Sequence, residues 1–208
     1  MQKAVHYAAK SHAGKQPAHD EVAHCARTTS DELIALGITN FMLEVGGEIQ
    51  TRGHSPRGDL WRLAIENPVA GAAGGVYTAI SVTDIGVATS GDYRNFFVEN
   101  GVRYSHLIDP RTSQPIEHDL VSVTVVHPST MIADAWATAL MIVGTQEALR
   151  LADIHELGVL FYNKRNEGEK NLFKVFATTR CLSFGFREFE GCKKNIKKIL
   201  PEFRNNFF

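Results

Sequence analysis

The sequence predicts an α+β fold built on a largely antiparallel sheet with packed helices. Three observations carry this expectation. Strand-like runs outnumber helix-like runs and rarely alternate with them, unlike a βαβ series. The run Leu120–Val126 holds five aliphatic residues and two small hydroxyls, the composition of a central strand. A helix signal follows at once, Met131 to Val143, with Ser129 placed to cap it and Gly144 to end it.

In chain order, residues 1–28 carry His6, His12, His19 and His24 with little aliphatic content. They read as a divergent, disordered leader, without the i, i+4 histidine pair of a helical zinc site. Ser30 caps a helix over residues 31–36, Asp31 and Glu32 suit its first turn, and Gly37 closes it. Phe41–Val45 is a strand, broken by Gly46-Gly47 and resumed by Glu48–Arg52. The glycine pair is either a tight bend or a floor on which a flat ligand lies. Trp61–Ile65 is a strand ended by Asn67-Pro68, and residues 70–75 form a flexible connection. Val76–Val82 is the next strand, and Ile85–Thr89 is a short one running into a Ser90-Gly91 turn. Tyr104–Ile108 is a strand that enters the turn initiator Asp109-Pro110. A second helix covers 146–154. Strands at 159–162 and 173–178 flank a charged turn. In the tail, Lys193, Lys194, Lys197 and Lys198 surround Ile196, Ile199 and Leu200, as a solvated helix face or a contact for an acidic surface.

The 208 residues allow one large domain or two small ones, and a 44% hydrophobic content is that of an ordinary globular core. Lysine and arginine number 22 against 23 acids, a net charge of −1, which excludes a generic nucleic-acid binder. A local pocket for a small phosphorylated ligand stays open. Cys25, Cys181 and Cys192 form no pair at metal or redox spacing and read as free thiols, with a Cys181–Cys192 disulfide as the alternative, so the redox compartment is undecided. No apolar run in the first thirty residues is long enough for a signal peptide, and none elsewhere could span a bilayer. As written, the chain is expected to be neither exported nor membrane-embedded.

Polar chemistry concentrates between Ser90 and Thr138. Asp134 and Thr138 stand one helical turn apart on one face. They are either ordinary helix positions or two oxygen ligands for one hard divalent cation such as magnesium. Small neighbours, Ala133, Ala135, Ala137 and Ala139, leave room for a close approach. Ser90-Gly91 can present backbone N–H groups, and Arg94 can pair a phosphate in bidentate fashion; the alternative is a polar hairpin turn. His106 alternates out of phase with Leu107, so it faces a cleft as an acid or electrostatic helper, or is a satisfied structural histidine.

Taken in order, Leu43-Glu44-Val45-Gly46-Gly47-Glu48-Ile49, residues 86–96, Tyr104-Ser105-His106-Leu107-Ile108-Asp109-Pro110-Arg111-Thr112, residues 121–125 and residues 133–140 closely resemble the ApbE-type FAD:protein FMN transferases. The resemblance spans Thr29 to Phe176. It implies an ApbE-like fold, incomplete at its N-terminus, with a partial transferase domain at 29–186 between the leader 1–28 and a basic tail at 187–208. It implies a magnesium-dependent enzyme that moves FMN from FAD to a threonine or serine hydroxyl of a target flavoprotein, releasing AMP. By the same resemblance, the acceptors are Nqr- and Rnf-type subunits. Asp134 and Thr138 become Mg²⁺ ligands by side chain, and Ala137 by its carbonyl. Ile108 lines the flavin nucleotide, Ser90 and Gly91 lie on the loop beside it, and His106 is the catalytic residue. Some relatives instead hydrolyse FAD to FMN and AMP. A remnant that only binds flavin nucleotide is the remaining alternative, because residues 1–28 resemble neither the family's export signal nor its further flavin-binding segments. Such proteins are typically periplasmic or membrane-anchored lipoproteins, while the location of this chain is left undetermined.

Overall fold

The computed structural model describes residues 5–9, 19–68, 76–93, 96–167 and 170–178. Its elements, in chain order, are β1 (Val5–Ala9), α1 (His19–Ala35), β2 (Phe41–Val45), β3 (Glu48–Arg52), β4 (Trp61–Glu66), β5 (Val76–Val82), β6 (Gly86–Gly91) and β7 (Phe96–Glu99). There follow β8 (Val102–Ser105), β9 (Ile108–Asp109), β10 (Gln114–Pro115), β11 (Leu120–His127), α2 (Thr130–Val143), α3 (Thr145–Ile154), β12 (Gly158–Glu167) and β13 (Lys170–Ala177).

A seven-stranded sheet runs in the order β1-β2-β3-β6-β11-β12-β13. Its neighbours are antiparallel except β1 and β2, which are parallel. The fold is therefore α+β with a mostly antiparallel sheet, as the sequence predicts. The helices cover one face. There Val123 and Val125 of β11 and Phe161 of β12 meet Ala133, Ala137 and Leu140 of α2 and Ala148 of α3, all buried. The β4–β5 hairpin covers the opposite face. Trp61, Leu63, Ile80 and Val82 pack there on Val87, Val126 and Leu160. Successive strand residues point to opposite faces, so Val87 joins the hairpin layer while Ala88 joins the helical one. A register shift between Leu120 and Ser122 lets Val121 join the hairpin side.

Gly86 sets how closely α2 approaches. A Cβ there would lie 2.5 Å from Thr130 Oγ1 and 2.6 Å from the Thr130 backbone. With Ala88, Ala133 and Ala137 it forms a small-residue contact between β6 and α2.

Several expectations need correction. The first helix begins at His19, well before Ser30, which is buried inside it rather than capping it. Ala26, Ser30 and Leu33 follow the helical period, but the first two are too small to mark an apolar stripe by eye. Part of the expected leader is thus helix and strand. Gly37 does end the helix: its N–H reaches the Ile34 carbonyl and that of Ile38 reaches Leu33, a Schellman closure. Ser129 occupies the N-cap position of α2 but makes no side-chain capping bond. Ser90-Gly91 finishes strand β6 and is not itself the turn. The single strand expected over 104–108 is two, β8 and β9, separated at His106 and Leu107. The β7–β8 hairpin was missed, although Asn100-Gly101, at φ of 51° and 80°, is a strong hairpin-turn signal.

Cys25 is an exposed free thiol, while Cys181, Cys192, the connection at 70–75 and the basic tail at 187–208 lie outside the described residues. Among the described residues no helix is long and apolar enough to cross a membrane.

Candidate functional site

The β4–β5 hairpin does not cover its face of the sheet completely. Between Leu63, Ile65 and Glu66 on the hairpin side and β3, β6 and β11 on the sheet side lies a cleft of about 230 Å³. Its floor carries Thr89 and Thr124, whose hydroxyls pair at 2.8 Å across β6 and β11. One end is closed by the Gly46-Gly47 turn of the β2–β3 hairpin, with φ of 62° and 105°. A Cβ on Gly47 would touch nothing within 4 Å, so positive φ, rather than crowding, calls for glycine there. The pair is a tight bend and also part of the cleft wall.

Ser90, Gly91 and His106 all border this cleft. Gly91 lies against Tyr93: an added Cβ would fall 2.7 Å from that ring and 3.1 Å from the Val121 carbonyl oxygen. Tyr93 in turn donates its hydroxyl to Glu66 at 3.3 Å, linking the end of β6 to the hairpin. His106 sits in the break between β8 and β9. The break is held by the Leu107 amide, which donates to Ser105 Oγ at 3.2 Å, so Leu107 is buried on the helical side while His106 reaches the cleft. Arg94 lies outside the described residues.

Ile108 is not in the cleft wall; it is 48% exposed at the start of β9. Its neighbour Asp109 is held by Arg111. The guanidinium donates to both carboxylate oxygens and the Arg111 amide adds a third donor, which keeps the Asp109 carboxyl below its ordinary range.

Asp134, Ala137 and Thr138 lie on α2. Asp134 and Ala137 are on its buried face and Thr138 is half-buried beside them. Ala137 has only its carbonyl to offer. Opposite α2, the sequence reading passed over Glu48. This side chain is 4% exposed, and its Oε2 atom is buried with no hydrogen-bond partner. Burial, and then the negative charge of Asp134, push the Glu48 carboxyl up to about 7. Among the described residues no group of three or more His, Cys, Asp or Glu side chains could hold a metal. The available set is two carboxylates and a hydroxyl, all hard oxygen donors, with one buried oxygen unsatisfied. That set fits a divalent cation of the magnesium type. The only sequence sign of Glu48 was its place directly after the glycine pair, where an acid ordinarily faces solvent.

A larger groove of about 420 Å³ between α1 and the start of α2 is bordered by Arg27, Arg52 and Ser129. It holds none of the residues that the sequence marks for chemistry.

Residues 22–161 match the model of the ApbE family. The chain is 43% identical over 150 residues to an FAD:protein FMN transferase of Vibrio cholerae, covering 72% of this chain and 43% of that protein. It is 40% identical over 155 residues to the Haemophilus influenzae protein of the same name, covering 73% and 45%. Among solved structures, flavin transferase ApbE from Vibrio cholerae superposes with a TM-score of 0.68 at 38% identity, over 78% of this chain and 50% of the other. The Thermotoga maritima ApbE protein, at 23% identity, shares the fold with a TM-score of 0.66. The chain thus spans half or less of the length of these two named transferases and of the Vibrio structure.

Proposed function

This chain belongs to the ApbE family, and from that premise we propose that it acts in the transfer of FMN from FAD to a threonine or serine hydroxyl of an acceptor flavoprotein. In the proposed reaction the acceptor oxygen bonds to the FMN phosphorus, the pyrophosphate P–O bond breaks, AMP leaves, and the hydroxyl proton passes to a base. The observation that supports this reading best is that Ser90, Gly91, His106 and the Gly46-Gly47 turn border one cleft, with Glu48 also on its wall.

The roles follow from placement. Leu63 and Ile65 give the cleft an apolar wall, and the paired hydroxyls of Thr89 and Thr124 give it a polar floor. His106 is the residue on that wall suited to take up the acceptor proton. Ser90 and Gly91 border the nucleotide, and Ile108 offers an exposed apolar contact to the flavin half beyond the cleft. Asp134 and Thr138, by side chain, and Ala137, by carbonyl, would hold Mg²⁺ on helix α2. A divalent ion held there would supply charge neutralisation for the pyrophosphate and its AMP leaving group. No nucleophile is required of this chain, since the partner protein brings its own.

The test is incubation of the chain with FAD, Mg²⁺ and an acceptor protein carrying the target threonine. Flavin fluorescence that stays with the denatured acceptor supports transfer. Free FMN and AMP with an unlabelled acceptor replace it by hydrolysis. Neither product removes both enzymatic readings.

A further inference from the structure

Thr130 donates its hydroxyl to the Gln50 side-chain oxygen, and this bond fixes how α2 lies against β3. One helical turn onward from Thr130 is Asp134. Two residues back along β3 from Gln50, on the same strand face, is Glu48. A helical turn advances about 5.4 Å and two strand residues about 6.6 Å, so the two carboxylates stay level across the interface. Both are more than nine-tenths buried, at 4% and 8% exposure. Glu48 Oε2 lies inside without a hydrogen-bond partner. A buried carboxylate oxygen with no donor, under the negative charge of a second carboxylate, is unfavourable by itself, and a cation between the two reverses the sign of the interaction.

We infer that Glu48 is a side-chain ligand of the same divalent cation assigned above to Asp134 and Thr138, so that two opposed carboxylates from different layers of the fold grip it. This rests on the cation reading of the proposed function. Glu48 directly follows the Gly46-Gly47 turn, so the cation ties the turn that ends the cleft to helix α2. Cation binding then fixes the shape of the nucleotide site as well as neutralising charge in it.

The experiment titrates the full chain with Mn²⁺ alone, reading free Mn²⁺ by its electron paramagnetic resonance signal and the melting temperature in parallel. The variants are Glu48→Gln, Glu48→Asp, Asp134→Asn and, as control, Glu44→Gln, an exposed acid on β2 whose charge also reaches Glu48. Glu48→Gln keeps the side-chain shape and removes a buried charge, so without metal it should melt no lower than the unaltered chain. Glu48→Gln and Asp134→Asn are each expected to weaken Mn²⁺ by at least about tenfold, the lower end of what loss of even an outer partner costs a metal site. They should also lose the rise in melting temperature that Mn²⁺ gives the unaltered chain. Glu48→Asp should retain part of both effects, and Glu44→Gln should change neither. If Asp134→Asn weakens Mn²⁺ while Glu48→Gln binds it like the unaltered chain, the role given to Glu48 is wrong and the cation reading survives. If the unaltered chain binds no Mn²⁺, or Asp134→Asn has no effect, the cation reading falls and takes the Glu48 role with it.

Discussion

His106 and Leu107 are neighbours in the chain and serve opposite sides of the sheet: one borders the cleft, the other fills the helical core. Replacing His106 with alanine should therefore leave the fold intact. Transfer of flavin to the acceptor should fall by about 10²–10⁴-fold, the usual contribution of a positioned acid or base. The measurement is initial rate of acceptor labelling beside the melting temperature, and an unchanged rate would remove His106 from the chemistry. A second prediction concerns Asp109. The hydrogen bonds and charge of the Arg111 guanidinium hold its folded pKa below the ordinary aspartate value. Its contribution to stability is thus complete above that value and is lost as pH falls through the lower, folded one. Asp109→Asn should be less stable than the unaltered chain near neutrality, and the gap should close in strong acid. Urea titrations across that range read it directly, and a constant gap would contradict the ion pair. At this scale the shared position of three residues was legible, though not what they do. Ser90, Gly91 and His106 were marked by residue type and spacing, and the structure gathers them around one cleft. Glu48 was not, because its burial depends on α2, whose approach to β3 is set by contacts distant in sequence.

At the level of elements, the β6–α2 contact depends on the absence of side chains. Gly86→Ala places a methyl 2.6 Å from the Thr130 backbone, where no rotamer change relieves the clash. Such overpacking costs about 1–3 kcal/mol, read as a lower urea midpoint at unchanged slope. Because α2 carries Asp134 and Thr138, the proposed cation ligands, the same shift should weaken Mn²⁺ binding although Gly86 is not among those ligands. A variant of full stability would show that the helix rides higher on β6 than the structure places it. The elements that sequence reading placed well, β2, β3, β4, β5 and α2, have large aliphatic residues or a clear glycine stop. Those it misplaced lack one or the other. The first part of α1 presents Ala26 and Ser30 where a longer side chain would have announced the buried stripe. The β7 and β8 strands expose Phe96, Phe97, Val98 and Val102, so no alternation of apolar with polar residues marks them.

For the molecule as a whole, the arrangement that matters is three layers, helices, sheet and the β4–β5 hairpin, with the cleft between the last two. The sequence announced the strands of that hairpin but not which face they would cover, since stacking is decided by long-range packing rather than local propensity. Trp61 fastens this layer. It is buried among Leu63, Ile80 and Val82, and its Nε1–H donates to the Arg52 carbonyl at 2.9 Å, joining β4 to the end of β3. Trp61→Ala should cost about 3–5 kcal/mol, the usual loss for a large aromatic truncated in a core. Leu63 and Ile65, which wall the cleft, would lose their anchor at the same time, so FAD should bind more weakly. Trp61→Phe retains most of the packing, forfeits the hydrogen bond, about 0.5–1.5 kcal/mol, along with the contacts of the lost part of the indole, and should keep FAD affinity near that of the unaltered chain. Urea denaturation and quenching of flavin fluorescence measure the two quantities separately. The layered arrangement requires them to fall together in the alanine variant and to separate in the phenylalanine one. An alanine variant that loses stability yet binds FAD as tightly would mean that the hairpin is no wall of the nucleotide site, and the ligand would have to be sought on another face of the sheet.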